Sequence, residues 1–140
     1  MPDKGCRSRQ ELIDAINALG EEVATKFWRP FRIRVTDGCR GPGVQRRLYR
    51  TLSRRGMMVA TPGNSAHEYG MAVDVRPLTE LGYQDRRAYA VLHELAPKYG
   101  LTGIDIDRDA GHFQLTNWRF LKAQGAPIYP GAGRRPRRRR

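Results

Sequence analysis

Two segments of the sequence combine histidine and carboxylate side chains at spacings that suit a metal site. The first is SAHEYGMAVD, in which His67 lies in a predicted loop and Asp74 on the strand that follows. The second is DAGHFQL, in which His112 follows Asp109 by three residues. Catalytic zinc takes three protein ligands, often histidine and carboxylate, and keeps a fourth position open for water. His67, Asp74 and His112 are therefore the candidate ligands of one zinc ion per chain.

The predicted secondary structure has to bring these segments together. Helices are predicted over about 8–28, 42–55, 85–99 and 117–122, and strands over 31–36, 71–75, 103–106 and 111–115. On the last strand Phe113 and Leu115 face the core, so His112 and Gln114 lie on the opposite face. The elements follow no regular βαβ order, which predicts an α+β fold with a small antiparallel sheet and helices packed against it.

The composition predicts one folded domain followed by a charged tail. The chain has 140 residues, 39% of them hydrophobic, and a formal net charge of +12. Six arginines lie within 134–140, so residues 1–133 carry only +6 of that charge. A run of like charges repels itself and buries nothing. We therefore expect a folded domain at 1–130 and a disordered arginine-rich tail at 131–140, which would attract polyanions.

Several protein classes are excluded or disfavoured by the rest of the composition. No apolar run is long enough to cross a membrane, and the N-terminus lacks the apolar stretch of a secretory signal. This predicts a protein made in the cytoplasm. Two cysteines, Cys6 and Cys39, are too few for a disulfide scaffold. Cys39 is expected to be a small buried residue, because a fourth protein ligand would displace the water from zinc.

The motifs resemble those of a known enzyme family. The segment at 65–74 is similar to the S-x-H-x-x-G-x-A-x-D signature of the zinc D-Ala-D-Ala carboxypeptidases and L-alanyl-D-glutamate endopeptidases, which cut peptidoglycan stem peptides. Asp109-x-x-His112 resembles their second signature, and DGCR followed by Gln45 resembles their S-G-Y-R…Q segment. The resemblance covers about residues 31–118, with the motifs in the family's order. It implies a hedgehog/DD-peptidase-like fold and a zinc metallopeptidase.

The resemblance also implies a role for each matching residue. His67, Asp74 and His112 resemble the zinc ligands, and Asp109 resembles the general base. Zinc lowers the pKa of bound water toward about 7, and a nearby carboxylate can pass the water's proton to the leaving amine. Asp107 is a rival for the base, but only Asp109 has the three-residue offset to His112.

Three further residues resemble the substrate-binding positions of the family: Arg40, Gln45 and Ser65. Arg40 can stabilise the oxyanion or hold a carboxylate of the stem peptide by a bidentate contact, and the sequence leaves both roles open. Gln45 can instead cap its helix, and Ser65 can instead shape its loop. DGC replaces the family's usual Ser-Gly-Tyr, which changes the substrate cleft. Asp109 replaces the glutamate of the carboxypeptidases, which resembles the phage endolysin branch.

The resemblance leads to one principal hypothesis for function. The chain would be a bacteriolytic, endolysin-like zinc peptidase that hydrolyses a stem-peptide bond, L-Ala–D-Glu, with a D-Ala-D-Ala carboxypeptidase as the alternative. It would be a monomer, made in a host cytoplasm and acting on the cell wall, held on an anionic wall or outer-membrane surface by its tail.

Two other hypotheses come from different functional classes. A nucleic-acid-binding protein would use the same basic charge, but the body shows no helix-turn-helix, zinc-finger or RNP pattern. A non-catalytic wall-binding module on the same fold is the third hypothesis. The complete set of His67, Asp74, Asp109 and His112 argues against it.

Overall fold

A computed structural model of the chain describes residues 7–27, 31–57 and 59–129. Its elements are α1 (Gln10–Lys26), β1 (Ile33–Asp37), α2 (Pro42–Ser53), β2 (Ala72–Pro77), α3 (Arg86–Leu95), β3 (Leu101–Asp105), β4 (Asp109–Leu115) and α4 (Trp118–Ala123). Short 3-10 turns lie at Ala66–Tyr69, Gly82–Gln84 and Ala96–Tyr99. The predicted α+β class is confirmed, with element ends shifted by a few residues. The predicted tail at 131–140 lies outside the described residues.

The four strands form one antiparallel sheet with the order β1-β2-β4-β3. In the β2–β4 pair Asp74 lies opposite His112, and in the β1–β2 pair Asp37 lies opposite Asp74. Side chains of directly opposed residues in antiparallel strands point to the same face of a sheet. Strand register therefore aligns Asp37, Asp74 and His112 in one row across three strands.

The hydrophobic core lies on the other face of the sheet, under α1 and α3. Alternation along β4 sends Phe113 and Leu115 into this core, as predicted. The buried side chains that the helices contribute are Leu12, Ile16, Leu19 and Val23 from α1 and Ala88, Tyr89 and Leu92 from α3. Their helical spacing explains why α1 and α3 pack side by side on the sheet.

Helix α2 packs differently from the sequence prediction. The helical spacing of Val44, Leu48 and Leu52 predicts that these apolar residues point into the core, but each is only half-buried. Gln45 is the buried residue of this helix. The reason is that Leu48 and Leu52 face a cleft instead of the core. None of the described helices is long and apolar enough to cross a membrane.

Candidate metal centre

His67 is presented by a capped turn. The 3-10 turn Ala66–Tyr69 begins after Ser65, whose hydroxyl accepts the backbone N–H of His67 at 3.3 Å. The carboxylate of Glu68, which is fully buried, accepts the backbone N–H of Ser65 at 3.3 Å and completes a capping box. Gly70 ends the turn with φ of 66°, a conformation that favours glycine. The turn thus fixes His67 just before β2.

The ring of His67 is oriented by a backbone carbonyl. Its Nδ1 lies 2.6 Å from the carbonyl oxygen of Gly38, which can only accept a hydrogen bond. Nδ1 therefore carries the hydrogen, and the lone pair of Nε2 is free. Nε2 lies 3.5 Å from Oδ1 of Asp74. Histidine ligands of metals commonly donate their other N–H in this way, which fixes the tautomer.

His112 is oriented by Gln114, two residues further along β4. Its Nε2 lies 3.0 Å from Oε1 of Gln114, so Nε2 donates and the lone pair of Nδ1 is free. Nδ1 lies 3.4 Å from Oδ1 of Asp74. Burial lowers the pKa of His112, but the nearby carboxylate of Asp74 and the hydrogen bond to Gln114 outweigh burial and leave this pKa raised. Gln114 was not among the predicted site residues, although its spacing of two from His112 placed it on the same face.

Asp74 lies between the two imidazoles. Its Oδ2 is 3.3 Å from Nη2 of Arg40, whereas its Oδ1 is buried and has no hydrogen-bond partner among the described residues. Burial alone would raise the pKa of Asp74, but the adjacent imidazoles of His112 and His67 hold this pKa well below its usual range. One ligand atom from each of the three residues lies within 4.8 Å of the others. A buried oxygen without a donor, facing two free imidazole nitrogens, fits a bound cation.

Asp109 lies beside this group. Its Oδ2 is 3.9 Å from Nδ1 of His112, and its side chain is 52% exposed. Residues three apart on a regular strand point to opposite faces, but the pairing of β3 with β4 is irregular between the pairs Gly103–Phe113 and Asp105–Asp109. Burial raises the pKa of Asp109, which makes its carboxylate a better proton acceptor. Asp107 is 71% exposed and pairs with Arg86 at 2.8 Å, so its geometry suits the base less well.

Arg40 is held next to the candidate ligands. Its Nε lies 2.7 Å from Oδ2 of Asp37, and its Nη2 contacts Asp74. Its backbone N–H donates to the carbonyl of His67 at 2.9 Å. These contacts hold the guanidinium beside Asp37 and Asp74 in the wall of the cleft. Contact between Arg40 and a substrate or oxyanion stays a prediction.

Gln45 and Ser65 lie in the same region but use most of their polar atoms within the protein. The amide of Gln45 donates to the carbonyl of Ala60 at 2.8 Å and accepts from Nη1 of Arg40 at 3.3 Å. Ser65 is buried and supports the His67 turn. Both line the cleft, and their contact with a substrate stays a prediction.

Cys39 adjoins Arg40 and is almost fully buried, as expected for a small residue. It takes part in a disulfide bond, so its sulfur is not a free thiolate for a metal. Cys6, the other cysteine of the sequence, lies outside the described residues.

One cleft of about 1190 Å³ contains all the predicted site residues. These are Arg40, Gln45, Ser65, His67, Asp74, Asp109 and His112. Helix α2 forms one wall through Leu48 and Leu52, and α4 contributes Trp118 and Arg119. A second cavity of about 610 Å³ adjoins the cleft and shares three lining residues with it: Asp74, Arg108 and Asp109.

No model of a protein family matches the sequence, and no curated protein sequence matches it significantly. Solved structures, however, share its fold. A mutant of the vancomycin resistance D,D-pentapeptidase VanY in complex with Zn(II) is 17% identical, with a TM-score of 0.60 over 90% of this chain and 84% of VanY. The LD-carboxypeptidase LdcB is 17% identical, with a TM-score of 0.59 over 85% of this chain and 72% of LdcB.

The L-Ala D-Glu endopeptidase ChiX of Serratia marcescens has the same fold. It is 18% identical, with a TM-score of 0.51 over 84% of this chain and 95% of ChiX. At these identities the likeness concerns the fold alone. The resemblance inferred from the three sequence motifs is thereby confirmed for the architecture: the chain has the DD-peptidase-like fold that these peptidoglycan peptidases share.

Proposed function

We propose that the protein is a zinc-dependent peptidase that hydrolyses an amide bond of the peptidoglycan stem peptide, with L-Ala–D-Glu as its target. One observation gives the main support for this proposal. The buried Oδ1 of Asp74 has no hydrogen-bond partner among the described residues and faces the free nitrogens of His67 and His112. This donor set is one that catalytic zinc uses. The fold supports the same conclusion, since VanY of the same fold was solved with Zn(II).

The residues around the ligands fit amide hydrolysis. Zinc held by His67, Asp74 and His112 would supply a Lewis acid that activates water at neutral pH. Asp109, with its raised pKa, accepts the proton of the attacking water and delivers it to the leaving amine. Arg40 brings a positive charge to the same wall, where it can stabilise an oxyanion or bind a substrate carboxylate.

Two observations favour the L-Ala–D-Glu bond over the terminal D-Ala–D-Ala bond, and the fold is compatible with both. ChiX, an L-Ala D-Glu endopeptidase, shares the fold. Asp109 is the residue type that resembles the endolysin branch. In addition, a second cavity adjoins the cleft at Asp74 and Asp109, which offers a substrate room on both sides of the reacting bond. A carboxypeptidase needs room for only one residue beyond the reacting bond. VanY bound to D-Ala-D-Ala has the same fold and supports the carboxypeptidase as the second candidate.

The proposed setting is bacteriolysis by a phage endolysin. The six arginines at 134–140 would hold the enzyme on an anionic wall or outer-membrane surface by electrostatic attraction. Substrate bonds are fixed in that wall, so attraction to fixed anions raises the local concentration of enzyme.

The decisive experiment is digestion of purified peptidoglycan with the zinc-supplemented protein, followed by mass analysis of the released fragments. The proposal expects peptides with a new D-Glu N-terminus. Release of D-alanine would instead support the carboxypeptidase. The absence of any new fragment, under conditions where the protein is folded and holds zinc, would overturn the proposed activity.

Metal analysis tests the centre separately. We expect one zinc per chain, and loss of that zinc in His67→Ala. His93→Ala is the matched control, because His93 lies outside the centre and its Nε2 contacts the carbonyl of Ala110 at 2.7 Å. Full zinc retention in His67→Ala, or equal loss in both variants, would contradict the assigned ligands.

A further inference from the structure

The second cavity has a composition unlike that of the main cleft. It lies between the start of β4 and the connection from β2 to α3, and Tyr83 and Tyr89 form its aromatic wall. Its polar side chains include Thr36 and Gln84. A volume of about 610 Å³ lies within the range of small-molecule sites, roughly 300–1000 Å³. The cavity is therefore large enough for one ring-shaped group with polar substituents.

Tyr83 is the most unusual residue of this wall. It is 63% exposed, yet its ring is held from one side by Arg76, whose guanidinium carbon lies 4.9 Å from the ring centroid. Gly82 permits this contact, because a Cβ at that position would lie 2.9 Å from Nη2 of Arg76. Cation–π contact fixes the ring without burying it. An exposed aromatic ring held in position beside a cavity is suited to stacking against a ligand.

The two cavities share the charged residues Asp74, Arg108 and Asp109, but their remaining charged residues differ. In the smaller cavity Arg86 pairs with Asp107 at 2.8 Å, so the charges of these two side chains cancel. In the larger cleft Arg119 stacks over Trp118 at 4.8 Å and has no carboxylate partner among the described residues. An anionic part of a substrate is therefore favoured in the larger cleft, and an uncharged part in the smaller cavity.

The chemistry of the substrate supplies two such parts. On one side of the L-Ala–D-Glu bond lie the carboxylates of D-Glu and the residues after it. On the other side, the amino group of L-Ala is joined by an amide bond to the lactyl group of an N-acetylated amino sugar. This sugar is uncharged once it is joined to L-Ala. One extended residue spans only about 3.5 Å. With the bond beside Asp74 and Asp109, the sugar must therefore lie in the space adjoining them.

We infer that the second cavity is a glycan subsite, which binds the N-acetylmuramoyl group of the substrate with Tyr83 as the stacking platform. Thr36 and Gln84 offer hydroxyl and amide groups to the sugar's hydroxyl and N-acetyl groups. The assignment of this ligand rests on the proposed function. The inference goes beyond the proposed function, because it predicts that the enzyme recognises the sugar as well as the peptide.

The test compares two substrates that contain the same scissile bond. One is N-acetylmuramoyl-L-Ala-D-Glu-diamino acid, and the other is the same peptide with a plain N-acetyl group in place of the sugar. Tyr83→Ala should raise the KM for the sugar-linked substrate roughly three- to tenfold and leave its kcat unchanged. The KM and kcat for the sugar-free substrate should not change. Tyr83→Phe should restore the KM, because it retains the ring. Tyr49→Ala, which changes another exposed tyrosine outside both cavities, is the matched control.

A binding measurement separates this inference from the proposed activity. Titration of the full-length protein with N-acetylmuramoyl-L-alanine should show tighter binding than N-acetyl-L-alanine, and Tyr83→Ala should abolish the difference. Equal effects of Tyr83→Ala on both substrates, or no preference of the unaltered protein for the sugar-linked ligand, would overturn the inference. Sugar binding that depends on Tyr83 without hydrolysis of either substrate would support the subsite while refuting the proposed activity.

Discussion

The hydrogen bond between His112 and Gln114 should control the affinity for zinc. Nε2 of His112 donates to Oε1 of Gln114 at 3.0 Å, which leaves the lone pair of Nδ1 toward Asp74. Gln114→Leu keeps a similar volume but removes the acceptor, so the buried ring can move its hydrogen to Nδ1 and lose its ligand atom. Loss of such an orienting partner typically costs about 10- to 100-fold in metal affinity, or about 1.4–2.7 kcal/mol.

The assay is a competition titration of zinc against a chromophoric chelator, with the unfolding midpoint measured in parallel. Gln114→Glu retains an acceptor oxygen and should keep the affinity within a few-fold of the unaltered protein. Gln84→Leu makes the same substitution at a residue that does not contact the ligands, and should have no effect on zinc. If Gln114→Leu folds normally and binds zinc as tightly as the unaltered protein, Gln114 does not set the tautomer of His112.

Three further predictions concern the base, the tail and the core. Asp109→Ala should retain zinc and lower turnover by about 10²- to 10⁴-fold, whereas Asp107→Ala should stay near normal; the reverse pattern in a kinetic assay would reassign the base. Removal of 134–140 should leave cleavage of a soluble stem peptide intact and lower the activity on intact walls. This loss of wall activity should shrink as the salt concentration rises. Equal wall activity of the truncated and full-length proteins at low salt would contradict a wall-binding tail. Phe113→Ala should cost about 3–5 kcal/mol in denaturant unfolding because the side chain is fully buried, and Ile104→Ala, at 50% exposure on the neighbouring strand, should cost clearly less.

Local periodicity predicted much of what positions the candidate centre. The alternation along β4 separated His112 and Gln114 from Phe113 and Leu115, and the structure has that arrangement. Such patterns are reliable because they depend on the geometry of near neighbours in the chain. The same reasoning was wrong for α2, whose apolar residues Leu48 and Leu52 line the cleft. A helical pattern identifies an apolar stripe but not the surface that the stripe faces.

The alternation along β4 does not predict the position of Asp109. Strict alternation would place it with Phe113 on the core face, and only its resemblance to a family motif assigned it to the site. The irregular pairing between β3 and β4 brings its carboxylate to 3.9 Å from His112. An irregularity of this kind depends on how two strands pair, which no single segment specifies.

The sequence by itself determined the candidate ligand types, the fold class and the faces of the strands, because these follow from side-chain chemistry and local backbone geometry. Tertiary structure alone decided which atoms are available to a metal. The carbonyl of Gly38 selects the free nitrogen of His67 from 29 residues away, and the register of β2 with β4 places Asp74 opposite His112. It also decided that a second cavity adjoins the site, because its walls come from segments far apart in the chain. Such contacts depend on the packing of the whole domain, and so they cannot be read from the spacing of residues within one segment.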